Sequence, residues 1–153
     1  MTNRSMYSFF VQNLSQKKDD VAISFLYKKL TYQQLSDEID HVACFLVEKG
    51  IKKGDVVTVA LPNIPSSVSV FYAINKIGAV ANMVHPLVPY QVLKKYMLQT
   101  NSKLLFAFDL LADKFFAQLA DDGFDVVICR ANDYLTKFES FFYTAFGKKD
   151  TNK

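Results

Sequence analysis

Apolar residues along this chain recur with two different periods, and the places where the period changes mark its elements. Met6, Phe9, Phe10 and Leu14 fall at helical spacing and predict a short first helix, which the polar run "SQKKDD" brings to a stop. "VAISFLY" and "LTY" then read as the two strands of a small hairpin, with a tight turn at Lys28 and Lys29. Thr31-Tyr32-Gln33-Gln34 fits a capping box, in which a hydroxyl and an amide satisfy the orphan N–H groups of a helix start. The helix that follows carries Tyr32, Leu35, Ile39, Val42, Ala43 and Leu46 on one face, and Gly50 ends it.

From Val56 onward the pattern changes. The run from Val56 to Leu61 is near-continuously apolar and does not alternate, as expected of a strand covered on both faces. Pro62-Asn63-Ile64-Pro65 makes a turn, and a helix from about Ser66 buries Val70, Phe71, Ile74 and Ile77 before Gly78 ends it. "AVANMV" predicts a further buried strand, "YQVLKKYMLQT" a helix, "KLLFAF" a strand and "LLADKFFAQLA" a helix. After a turn at Asp122 and Gly123, "FDVVICR" is the next strand. Asn132 caps a last helix with Leu135, Phe138, Phe141, Phe142 and Ala145 at helical spacing, and "GKKDTNK" is a polar tail. The order β-α-β-α-β-α-β-α with short connections predicts an α/β fold: a layered, mostly parallel sheet with helices on both faces, preceded by a small N-terminal β-hairpin. No internal repeat or low-complexity linker divides residues 1–153, so one domain is expected.

Composition narrows the function classes. Half of the 153 residues are apolar, which excludes a disordered chain. Fourteen phenylalanines and eight tyrosines supply bulky core side chains. The net charge of +3 comes from scattered lysines, with Arg4 and Arg130 the only arginines, so no nucleic-acid partner is expected. Cys44 and Cys129 lie far apart in apolar surroundings without zinc-site spacing, and are expected to be two buried, reduced thiols. The segment "MTNRSMYSFFVQNL" lacks the apolar stretch of a signal peptide, and no apolar run approaches the roughly 20 residues of a membrane span. A cytoplasmic location is expected.

The places for chemistry follow from the fold. Ligands of open parallel sheets bind beyond the carboxyl ends of the strands, which gives two substrate-facing loop candidates, Asn63 and His85. No nucleophile or carboxylate pair can be matched to His85 by spacing, and its imidazole has an ordinary structural use in bonding to a backbone group. None of the five glycines forms GxGxxG or GxxxxGK[ST], so no phosphate loop is present. No catalytic residue and no metal ligand is assigned. The aromatic stripe of the last helix, followed by lysines, offers membrane contact as a second choice behind core or interface packing.

Three segments together carry a resemblance: "LTYQQL" (30–35), "KKGDVVTVALPNIPSSV" (52–68) and "INKIGAVANMVHPLVP" (74–89). In order and spacing they resemble the amino-terminal motifs of acyl-adenylate-forming enzymes, the AMP-dependent synthetases and ligases. "GAVANMVHPLVP" and "NDYLTKF" look nearest to bacterial acyl-CoA synthetases. The resemblance implies a parent enzyme of fatty-acid metabolism that activates a carboxylate with ATP and Mg²⁺, releases pyrophosphate and passes the acyl group from AMP to the thiol of CoA. It also implies that the family's phosphate loop, adenine-contacting segment, ribose-binding aspartate and mobile carboxy-terminal domain would follow residue 153. Residues 1–153 are therefore expected to be an amino-terminal fragment resembling the first α/β subdomain, binding no cofactor and inactive alone, with the remainder of the ligase as partner. The alternative is a stand-alone binding or assembly module reusing this subdomain.

Overall fold

A computed structural model describes residues 5–26, 28–109, 118, 119 and 121–130. The predicted helices over 110–120 and beyond Asn132 lie outside them, residues 118 and 119 apart. Helix α1 (Met6–Lys17) leads to the hairpin β1 (Val21–Phe25) and β2 (Lys28–Thr31), then to α2 (Tyr32–Glu48). The rest alternates: β3 (Val56–Ala60), α3 (Pro65–Lys76), β4 (Val80–Met83), α4 (Tyr90–Gln99), β5 (Leu104–Phe108) and β6 (Asp125–Cys129). Strands β3 to β6 form one parallel sheet in the order β4-β3-β5-β6, with Val57 opposite both Ala81 and Leu104. The α/β reading and the separate antiparallel hairpin are both present.

Local chemistry explains the borders. The Thr31 hydroxyl accepts from Gln34 N, while Gln34 Oε1 accepts from Thr31 N at 2.9 Å, closing the expected capping box. Pro65 opens α3 at a position where its missing N–H would have no helical partner. Gly78 adopts φ 75° after α3, where a side chain would be strained and a Cβ would meet Lys53 Cγ at 3.0 Å.

Strand alternation divides the core into two layers. Val57, Val59, Leu104 and Phe106 face one side, covered by α1, α2 and α3 through Phe10, Leu35, Ile39, Leu46, Val70 and Ile74. Ala60, Leu105 and Ala107 face the other, covered by Leu93 and Met97 of α4 and by Leu119. Helices α2 and α3 are joined by the ion pair Lys76–Asp40 at 2.6 Å. Burial works against the charge of Lys76, but hydrogen bonds with Asp40 and Tyr7 outweigh it and raise its pKa.

Four expectations need correction. Lys28 and Lys29 belong to β2 rather than to the turn; pairing of Phe25 with Lys28 moves the reversal earlier, where Leu26 takes φ 52°. The "AVANMV" strand is buried only at its ends, Ala79 and Val84: among the described residues β4 has a neighbour on one side only, and Val80 and Met83 stay 51% and 52% exposed. Phe71 and Ile77 are half-buried, since α3 turns Pro65, Ser69, Val70, Ala73 and Ile74 inward and these two lie beside that stripe. Cys44 is exposed on the outer face of α2 and Cys129 is half-buried at the end of β6; neither forms a disulfide.

Candidate functional site

The carboxyl edge of the sheet gathers the loops that follow β3 and β4. Because the chain crosses from β4 back over β3 to reach β5, it departs in opposite directions from β3 and β5, and the topological switch point lies between these two strands. Leaving β3, Leu61 and Ile64 are buried and hold Asn63 outward between them. Ile64 N donates to the Pro62 carbonyl at 2.8 Å, so the loop is as tight as its length allows.

His85 occupies the next loop. Val84 N donates to the Val59 carbonyl at 3.0 Å, which carries the parallel pairing one step past β4 and fixes where the loop begins. His85 is exposed. Its Nδ1 accepts from Leu87 N at 3.2 Å and its carbonyl accepts from Val88 N at 3.2 Å. An accepting Nδ1 puts the proton of a neutral ring on Nε2. The imidazole thus serves as a turn cap, with Nε2 turned away from that bond. Parallel pairing of β3 and β4 brings Asn63 and His85 to the same edge of the sheet, but no hydrogen bond links them.

This edge is poorly built for a polyphosphate. Prolines 62, 65, 86 and 89 remove backbone donors where a phosphate cradle needs them, and Pro65 and Pro89 stand at the starts of α3 and α4. Among the described residues, no three His, Cys, Asp or Glu side chains come together to hold a metal ion. The described residues therefore do not fit ATP and Mg²⁺ by themselves, and no catalytic step is routed through them.

A second feature escaped sequence reasoning. On the face of the sheet covered by α2 and α3, a groove of about 370 Å³ remains open over β5 and β6. Val42, Phe45, Val70, Phe106 and Val127 make it apolar. At its polar margin Ser69 Oγ donates to Glu38 Oε2 at 2.8 Å, and His41 and Ser66 stand nearby in the lining. Ser66 Oγ is buried with no hydrogen-bond partner among the described residues. Helical spacing showed which faces of α2 and α3 are apolar, but only their packing against each other brings Glu38, Ser66 and Ser69 to one margin.

The AMP-binding enzyme family matches residues 10–141. The chain belongs to this family. It is 28% identical over 144 residues to a long-chain-fatty-acid–CoA ligase of Bacillus subtilis, a match that covers 94% of the chain and 26% of that ligase. An acetyl-coenzyme A synthetase of Penicillium chrysogenum is 39% identical over 82 residues, 54% of the chain and 12% of that synthetase. The chain therefore spans about a quarter or less of the length of these relatives. The crystal structure of the anthranilate CoA ligase AuaEII in complex with anthranoyl-AMP superposes with a TM-score of 0.76 at 17% identity, over 91% of this chain and 27% of that one, and shows the shared fold. Among the described residues, no helix is long and apolar enough to cross a membrane.

Proposed function

We propose that this chain forms the first α/β subdomain of an AMP-forming acyl-CoA synthetase, and that the carboxyl edge bearing Asn63 and His85 faces the rest of that ligase. The parent reaction joins a carboxylate to CoA at the expense of ATP, giving acyl-CoA, AMP and pyrophosphate. The observation that carries this reading is the match of nearly the whole chain to about a quarter of a long-chain-fatty-acid–CoA ligase. The proline-rich loops support it, because Pro62, Pro65, Pro86 and Pro89 remove backbone donors from the described loops after β3 and β4, where an open parallel sheet offers its ligand site. On this reading ATP, Mg²⁺ and CoA are handled by segments outside the described residues, and a fatty acid is the carboxylate class favoured by the long relative.

The test is ATP–pyrophosphate exchange by the purified chain of 153 residues, offered acetate, octanoate, palmitate and benzoate in turn. No exchange above background is expected with any of them. Carboxylate-dependent exchange would overturn the assignment of a scaffold role. Sequencing the encoding DNA past codon 153 tests the other half: an in-frame Ser/Thr/Gly-rich loop is expected there.

A further inference from the structure

Asp and Asn are common first residues of a β-turn, because their side chains accept a hydrogen bond from the backbone two residues on. In the turn after β4 a histidine holds that place. Val88 N donates to the His85 carbonyl at 3.2 Å, Pro86 fills the second position with its fixed φ, and Leu87 is third. Pro86 has no N–H, so Leu87 N is the first backbone donor after His85, and it donates to Nδ1 at 3.2 Å. No backbone carbonyl among the described residues accepts from Leu87 N. An Asn side chain in this role accepts at any pH. An imidazole accepts only while neutral, since its cation carries an N–H on both nitrogens. We propose that the turn His85–Val88 is a proton-operated latch, closed by the neutral imidazole and released when that ring becomes a cation.

The fold confines the movement. On one side Val84 is buried and its N donates to the Val59 carbonyl at 3.0 Å. On the other, Val88 packs against the core layer of Ala60, Val84, Tyr90 and Leu93, and the Pro89 carbonyl accepts from Val92 N and Leu93 N at the start of α4. Between these anchors lie Pro86 and Leu87, and Leu87 is 69% exposed. Release therefore redirects an exposed leucine at the carboxyl edge and leaves the sheet untouched. The surrounding segments bring no charge to the imidazole. Residues 61–69 and 79–93 include no Asp, Glu, Lys or Arg. The Tyr90 hydroxyl donates to the Gln118 carbonyl at 3.1 Å, and Lys94, further along α4, is paired with Asp122 at 2.6 Å.

Heteronuclear NMR of the labelled full chain tests the latch, with His41→Gln leaving a single imidazole to follow. At about pH 8 the ring should carry its proton on Nε2, and a proton on Nδ1 instead would overturn the proposal. The scan then runs down to about pH 5, across the window in which imidazoles ordinarily change charge. The Leu87 amide should shift with the same midpoint as the His85 ring. Its protection against hydrogen exchange, corrected for the intrinsic effect of pH, should fall about threefold, the effect of losing one hydrogen bond open to water. His85→Asn should keep the protection seen at neutral pH and abolish its dependence on pH. A Leu87 amide indifferent to the His85 titration would overturn the latch, as would an unchanged pH dependence in His85→Asn. Loss of protection at Val84 N with that midpoint would also overturn it, because the strand end would then open as a whole. Should the Asn variant fail to fold, the tautomer and the Leu87 titration in the chain that retains His85 decide. None of these measurements involves ATP–pyrophosphate exchange, so the latch and the proposed function stand or fall separately.

Discussion

The hydroxyl of Thr58, in the middle of β3, donates to Ser102 Oγ at 2.8 Å and itself accepts from Asn82 Nδ2 at 3.1 Å. Ser102 in turn reaches the carbonyl of Leu104 at 3.2 Å. A polar thread therefore crosses three neighbouring strands through a layer that is otherwise apolar, with Thr58 fully buried and Ser102 nearly so. Thr58→Val keeps the shape but strands a donor on Asn82 and leaves Ser102 without its donor. A loss of about 1–3 kcal/mol is expected, the cost of buried groups left unpaired. Urea denaturation with an unchanged m-value is the check, and a neutral result would show that water reaches this layer.

Thr31 should matter through its cap alone. Thr31→Ala removes the acceptor for Gln34 N and leaves the helix register untouched. About 1 kcal/mol of stability should be lost. Thr31→Ser should recover most of it, measured as the shift in thermal midpoint.

The two glycines that follow helices α2 and α3 should respond unequally to alanine. Both have positive φ, 77° at Gly50 and 75° at Gly78. A methyl at Gly50 meets nothing within 4 Å, whereas at Gly78 it meets Lys53 Cγ at 3.0 Å. Each change costs about 1–2 kcal/mol for the left-handed backbone, and Gly78→Ala should cost more. Equal midpoints in guanidinium would show that the Lys53 side chain simply steps aside.

Acid should weaken a clasp at the amino edge of the sheet. Asp55 accepts from Lys103 Nζ at 3.0 Å and from Lys52 N at 2.8 Å, and these bonds, Lys103 first, hold its pKa below the ordinary carboxylate value. A depressed folded pKa contributes stability that is complete above the unfolded value, about 3.9, and disappears as pH falls through the folded value. Asp55→Asn should therefore melt below the unsubstituted chain at pH 7. The two should converge once the pH is under the folded pKa of Asp55. A gap that persists unchanged in acid would mean that shape, and not charge, accounts for the difference.

His85 should prove replaceable by a side chain that keeps its acceptor. Exposure lets water substitute for the bond to Leu87 N, so His85→Ala should change stability by no more than about 0.5 kcal/mol. His85→Asn should be closer still to the unsubstituted chain. A large loss in either, read by thermal denaturation, would reveal contacts beyond that one bond.

The sequence alone determined what depends on near neighbours. The capping box at Thr31 is a contact over three residues, and the near-continuous apolar run from Val56 needs only one strand to be read as buried on both sides. Alternation of strand and helix then limited the topology to a parallel sheet. The resemblance over three motifs named the family, which the match over residues 10–141 shows. What lay beyond reach was whatever depends on which strand ends up next to which. "AVANMV" and "KLLFAF" look alike as sequences, yet among the described residues β5 has partners on both sides and β4 on one, and Met83 is exposed where Phe106 is buried. Cys44 sits in an apolar stretch and still faces outward, because a helix turns its side chains by 100° per residue and neighbours of a buried position need not be buried. The groove is the clearest case: Glu38 and Ser69 are 31 residues apart, and only the packing of α2 on α3 makes them partners. Chain-local chemistry is written in the order of residues, whereas a site assembled across elements exists only once the core has chosen their arrangement.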